Sequence, residues 1–277
     1  IEADGSLHRF STSGKRGDDS GWYVLHPDGI AAGVFGCWRK DFSQTWCSKG
    51  TKAMTQTERS AHQQRMQAIA QQRDADTAHR HQQAAKATAA RWQAASLATA
   101  HPYLTSKGVQ AHGVKVEVDG FLIVPMRDTA GKLWNIERIN PADSKDKKGL
   151  YGGRRTGLYH SIGKPDGAVI VCEGYATGAS IHEATGQAVA VAFNAGNLQA
   201  VAVALRAKYP CLTITIASDD DWKTAGNPGL AAARQAALAV GGKVAVPDFT
   251  GLPRGDKDTD FNDLHRLARA GVNGGDA

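Results

Sequence analysis

The stretch Ala168-Val169-Ile170-Val171-Cys172-Glu173-Gly174-Tyr175-Ala176-Thr177-Gly178 decides how the rest of the chain reads. Five apolar residues without polar alternation suit a strand covered on both faces. A carboxylate follows at once, and then a glycine opens a run with helical character. Apolar runs recur at Ala188 to Phe193, Leu212 to Ala217 and Lys243 to Val246, the last two broken only by Thr and Lys. Helical stretches fit between them at 176–185, 198–208 and 228–240. The last is signalled by Asn227 as N-cap and Pro228 at the first helical position. The order β-α-β-α-β-α-β between residues 168 and 246 predicts a compact α/β unit, a parallel sheet with helices on both faces.

Groups that bind ligand in open parallel sheets lie beyond the carboxyl ends of the strands. Glu173 follows the first predicted strand directly, and Asp219-Asp220-Asp221 follows the third after one Ser. Asp258, Asp260 and Asp263 follow the fourth. In an extended segment alternate residues face the same way, so Asp219 and Asp221 are expected to point together and Asp220 aside. Carboxylates gathered this densely repel one another unless they take up protons or cations neutralise them. Mg²⁺ or Mn²⁺, as a pair of ions, answers that need and makes phosphoryl transfer the natural chemistry. Any one of these acids alone would read as a solvated loop residue. Three groups in order at strand ends argue for a site.

Upstream, residues 100–165 read as a β-rich segment with strands at Val114 to Val118, Phe121 to Met126, Leu133 to Ile139 and Leu158 to Tyr159. A basic loop, Lys145-Asp146-Lys147-Lys148 and then Gly152-Gly153-Arg154-Arg155, lies within it. Residues 53–99 hold no Pro or Gly and few large apolar side chains, which predicts a long polar helix acting as a spacer and ended by His101-Pro102. At 100° per residue Arg59, Arg73, Arg80 and Arg91 share a sector of about 60°. Arg73, Arg80 and Arg91 are therefore candidate DNA contacts. Residues 1–52 carry 7 of the chain's 19 aromatics and read as a small β unit around Trp22 to Leu25 and the turn Pro27-Asp28-Gly29. Its rings are expected to form a small core. Trp38, beside Arg39 and Lys40, is a further candidate DNA contact.

Lys and Arg outnumber Asp and Glu by 33 to 27, and the acids concentrate in the clusters above, so the remaining surface is basic and suits a polyanion. The four cysteines form no C-x-x-C pair, which supports neither a disulfide framework nor a zinc site, and Cys37, Cys47 and His26 lack zinc-ligand spacing. No apolar run approaches the ~20 residues that span a bilayer, and the expected location is cytoplasmic. The first residue, Ile1, points to a piece of a longer chain.

Glu173 to Gly178, Ser218-Asp219-Asp220-Asp221 and Asp260-Phe261-Asn262-Asp263 together resemble the Toprim domain of DNA primases from conjugative plasmids and satellite-phage primase-helicases. Val124-Pro125-Met126-Arg127-Asp128 and Gly131-Lys132-Leu133-Trp134 are similar to the segment preceding Toprim in such primases, and Trp22-Tyr23 through Gly36-Cys37-Trp38 to their N-terminal stretches. The resemblance implies a Toprim domain over 166–265 followed by a tail at 266–277. It implies Glu173, Asp219 and Asp221 as catalytic and metal-binding acids, with Asp258, Asp260 and Asp263 completing the metal site. Arg138, Lys148, Arg154 and Arg155 would hold nucleotide or template. The implied reaction is the joining of ribonucleoside triphosphates into a short RNA primer on single-stranded DNA, with a replicative helicase as a partner and no membrane involved. Two features depart from the family: no zinc module precedes the core, and no G-x-x-x-x-G-K-[ST] loop supplies a helicase motor. A metal-dependent nuclease and a non-catalytic single-strand-binding accessory protein are the competing readings.

Overall fold

The computed structural model describes residues 1–40, 42–50 and 53–273, without the side chains of Trp38, Val272 and Asn273. The chain divides into two compact units, Ile1–Thr77 and Ala78–Ala277.

In the first unit β1 (His8–Phe10), β2 (Gly21–His26), β3 (Ala32–Cys37) and β4 (Phe42–Cys47) form an antiparallel sheet in chain order. Residues directly opposite one another share a face. Phe10, Gly21, Cys37 and Phe42 form one row, Tyr23 and Phe35 the next, and Gly33 and Trp46 a third on the same side. The rings do not form the expected core. Phe10, Phe35, Phe42 and Trp46 remain 36 to 48% exposed, because a four-stranded sheet with nothing described against this face has no second layer to receive them. Asp18 ties the β1–β2 connection together, accepting from the Thr12, Ser13 and Ser20 amides and from Arg39 Nη2 at 2.8 to 3.1 Å.

The long helix α1 (Gln56–Ala94) is unbroken. Thr55 and Glu58 start it as a reciprocal capping pair: the Glu58 amide donates to Thr55 Oγ1 at 3.2 Å and the Thr55 amide to Glu58 Oε2 at 2.8 Å. In the second unit its C-terminal part is integral to the fold rather than a free spacer. Ala85 and Thr88 are buried, and Trp92 packs on Ala95, Ile123 and Ile136. It ends at Ala94, before the short strand β5 (Ser96–Leu97). His101-Pro102 does not end it but begins α2 (Pro102–Lys107), with His101 Nδ1 accepting the Tyr103 amide at 3.1 Å. Proline at the first helical position gives up an amide that would be unpaired anyway.

After α2 come β6 (Lys115–Val116), β7 (Leu122–Arg127), β8 (Leu133–Ile139) and β9 (Lys147–Gly149), an antiparallel sheet ordered β5-β6-β7-β8-β9. The α/β part follows: β10 (His160–Ile162), β11 (Ala168–Cys172), α3 (Tyr175–Thr185), β12 (Val189–Val191), α4 (Ala195–Lys208), β13 (Thr213–Ala217), α5 (Pro228–Val240), β14 (Lys243–Ala245) and α6 (Phe261–Asn273). Its sheet runs β10-β12-β11-β13-β14, parallel except for the edge strand β10. Helices cover both faces. On β11, Val169 and Val171 face a core with α4 and α5, while Ile170 and Cys172 face one with α3, Tyr103 and Leu122. Helix α6 extends past residue 265, where the sequence reading ended the domain. Asn262 at its start is fully buried and donates to Lys107 O at 2.7 Å and Ser180 Oγ at 2.9 Å, joining α2, α3 and α6. Among the described residues no helix is long and apolar enough to cross a membrane.

Gly178 lets α3 lie close on the sheet: a Cβ there would meet Val191 Cγ2 at 2.8 Å and Cys172 Sγ at 3.1 Å. Gly178→Val is expected to cost about 2 kcal/mol by overpacking and to lower the melting temperature, as thermal unfolding would show.

Candidate metal centre

Strands β11 and β13 are parallel neighbours, with Val171 opposite Ile216, so the residues leaving their carboxyl ends converge. Glu173 and Asp219 occupy that position. Glu173 Oε1 and Asp219 Oδ1 are both buried without a hydrogen-bond partner among the described residues. Burial, with the Asp221 and Asp260 charges, pushes the Glu173 carboxyl up to about 7, against a pull downward from the Ala195 amide. Burial and the charges of Glu173, Asp260, Asp221 and Asp263 push Asp219 up to about 8. Asp263 is also raised, by burial and by Asp260. A buried carboxylate oxygen with no donor is costly, so this edge of the sheet calls for a cation.

The neighbouring groups fix the direction of each acid. Asp221 Oδ2 accepts the Gly229 amide at 3.1 Å at the start of α5, and a Cβ at Gly229 would meet the Asp219 carbonyl oxygen at 2.9 Å. Asp220 turns the other way, to Arg254 Nη1 at 2.9 Å and Asn227 Nδ2 at 2.7 Å. Arg254 lies over the Phe249 and Trp222 rings at 4.2 and 5.0 Å. Sequence reading missed this clamp: Asn227 was legible only as an N-cap, and nothing near Arg254 marks it. Phe193, with φ at 72°, makes the tight turn from β12 that brings the Ala195 amide toward Glu173.

Asp260 and Asp263 have two tasks. Asp260 Oδ1 accepts the Asn262 and Asp263 amides at 2.7 and 2.9 Å, and Asp263 Oδ2 accepts the Thr259 amide at 3.0 Å, which caps α6. Asp260 Oδ2 takes the Thr177 hydroxyl at 3.1 Å, and both charges are felt at Asp219. Asp258 accepts the Gly255 amide at 2.7 Å within its own turn.

The basic candidates separate likewise. Arg138 donates to Glu117 at 2.5 Å and Asp119 at 2.6 Å, and Arg91 reaches the same buried Glu117 at 2.8 Å, so both brace α1 against the β-sheet. Lys148 pairs with Asp146 at 2.7 Å and Arg155 with the buried Glu137 at 3.8 Å. Arg154 has no salt bridge among the described residues; it lies over Trp134 at 5.2 Å, with Lys132 over the same ring at 3.8 Å. Arg73 is exposed beside Asp74, Arg80 is exposed on α1, and the Trp38 side chain lies outside the described residues.

The Toprim domain family model matches residues 168–270. Residues 168–270 form a Toprim domain. The chain is also similar to two proteins named DNA primase TraC from Escherichia coli, at 40 and 37% identity over 89% of its length. It spans only 24 and 18% of those relatives. Among solved structures it is similar to the primase fragment of the bacteriophage T7 primase-helicase protein, at 18% identity and a TM-score of 0.46, covering 62% of this chain and 71% of that one.

Toprim domains of primases depend on divalent metal, typically Mg²⁺, and the residues here fit one: hard carboxylate oxygens, two of them buried and unpartnered, at the mouth of the Toprim sheet. Among the described residues no three of these acids offer ligand atoms all within 4.8 Å of one another; only the N-terminal Glu2, Asp4 and His8 do. An open set of this kind suits Mg²⁺, which keeps water and substrate phosphates among its ligands.

Because the Glu173 and Asp219 values lie above the ordinary 4.5 and 3.8, the folded protein holds the extra protons, and this share of stability is lost as pH rises through 7 to 8. Metal-free protein is expected to melt lower at pH 8.5 than at pH 6, with a smaller difference in Asp219→Asn. That variant should melt about 3 °C above wild type at the higher pH without metal. Mg²⁺ or Mn²⁺ should raise the wild-type melting temperature and leave Asp219→Asn nearly unmoved. Differential scanning fluorimetry across pH, with and without metal, checks all three.

Proposed function

We propose that this chain is the catalytic part of a DNA primase, joining ribonucleoside triphosphates into a short RNA primer on single-stranded DNA. The observation that carries the reading is the pair of buried, unpartnered carboxylate oxygens on Glu173 and Asp219, in a Toprim domain with a basic loop beside it. The similarity to DNA primases over most of the chain supports it.

In this reading Glu173, Asp219 and Asp221 hold Mg²⁺ or Mn²⁺, two ions at work, with Asp260 and Asp263 adding negative charge from the start of α6. When bound, the metal supplies charge neutralisation for an in-line phosphoryl displacement. The chain's own residues arrange the rest. Glu173 is also assigned the proton of the attacking 3′ hydroxyl. Gly229 and Asn227 keep Asp221 turned inward, and Arg254 keeps Asp220 out. Arg154, which makes no salt bridge among the described residues although its charge is felt at Asp128, is assigned to triphosphate or template oxygens, with Lys148 and Arg155 from the same basic segment. Trp134, with Lys132 and Arg154 over its ring, adds an aromatic surface to this cationic patch.

Primer synthesis on single-stranded DNA with the four ribonucleoside triphosphates and Mg²⁺ or Mn²⁺ tests the proposal. Short RNA products are expected from wild type. Asp219→Ala and Glu173→Ala should lower the rate by about 100-fold or more, and Asp258→Ala should lower it far less. Metal-dependent shortening of the DNA without RNA products would replace this reading with a nuclease.

A further inference from the structure

The loop that carries Arg154 and Arg155 is held by two buried asparagines, one from each sheet system. Asn135, fully buried on β8, accepts the Leu150 and Ile136 amides on Oδ1 at 3.0 and 2.9 Å and donates Nδ2 to the Arg154 carbonyl at 3.1 Å. Asn197, buried in the first turn of α4, accepts the Gly157 amide on Oδ1 at 2.8 Å. Its Nδ2 donates to the Leu158 carbonyl at 3.0 Å and the Ala192 carbonyl at 2.9 Å. Four backbone groups between residues 150 and 158 therefore answer to two side chains.

Gly153 records how tight this arrangement is. A Cβ there would lie 2.4 Å from Asn135 Nδ2 and 2.7 Å from its Cγ, although the backbone of Gly153 is not in the left-handed region. Glycine at 153 is thus required by the Asn135 side chain and not by the local chain path. At the other end, Asn197 sits two residues after Ala195, whose amide faces Glu173. The Arg154 loop and the carboxylate centre are joined through one side chain and one helical turn.

We infer that Asn135 and Asn197 are positioning residues for the incoming nucleotide: they hold the Arg154 loop at a fixed place relative to Glu173 and Asp219, so that a triphosphate gripped by the loop meets the metal centre in register. The inference rests on the primase reading for its substrate. Neither asparagine touches the nucleotide. Their effect passes through the backbone of residues 150–158, and a loop released from them loses its hold on triphosphate while the carboxylates stay intact.

The test is steady-state primer synthesis by Gly153→Ala and Asn197→Ala, with direct titration of ATP binding by calorimetry and a melting curve with and without Mg²⁺. The expected result is a KM for ribonucleoside triphosphates and a Kd for ATP raised about tenfold. The turnover number should stay within about threefold of wild type, and the melting shift on adding Mg²⁺ should be unchanged. Gly153→Ala perturbs Asn135 without removing it, and so remains informative should Asn197→Ala fail to fold. Unchanged KM and Kd with only a lowered melting temperature, or a loss confined to turnover, would overturn the inference and leave the asparagines a purely structural role. A wild type that makes no primer yet binds ATP in a Gly153-sensitive way would sink the primase reading and keep the loop assignment, so the two failures are distinguishable.

Discussion

Glu173 and Asp219 leave the ends of adjacent strands each with a buried oxygen that nothing among the described residues satisfies, and their mutual repulsion governs what can surround them. Three of the turns from strand to helix at this edge bring an amide-rich helix start toward the acids: Ala195 toward Glu173, Gly229 toward Asp221, and the start of α6 beneath Asp260. Helix N-termini carry partial positive charge and offer unpaired N–H groups, so they soften the repulsion without cancelling it. The middle acid of the run, Asp220, would make matters worse if it faced inward. Arg254 and Asn227 draw it away, and the two rings under Arg254 keep the guanidinium in place. What remains is a deficit of positive charge of the kind a divalent cation would fill.

The parallel sheet was legible because its strands are covered on both faces and therefore read as uninterrupted apolar runs. Helix α5 runs from Pro228 to Val240 as read, its start marked by Asn227 and Pro228, and the structure closes it on Gly241 in the left-handed conformation. Helix α6 was missed for an instructive reason. Asp260 and Asp263 have the spacing of a capping pair before an amphipathic run, but their acidity drew the reading toward metal ligation alone. His101-Pro102 misled in the opposite sense: proline after a long helical run reads as a stop, whereas with His101 as a cap it is a start. The exposed aromatics of the first unit could not be anticipated either, since ring composition says nothing about whether a second layer exists to cover a sheet.

Which basic side chains are committed within the fold cannot be read from a sequence at all. Arg91 and Arg138 lie 47 positions apart, yet both end on Glu117, and their charges serve to attach α1 to the antiparallel sheet. Arg154 lies in a loop rich in Gly and Arg that looks like any flexible surface segment. It is instead built on two buried asparagines and keeps a guanidinium without a salt bridge among the described residues. The excess of basic residues in the chain is therefore a poor guide to where a polyanion binds. A phosphate finds a cation only where the fold has left one unpaired and has fixed the backbone that carries it. The Leu150 to Leu158 segment meets the second condition, being anchored on one side to the antiparallel sheet and on the other to the helix that approaches Glu173.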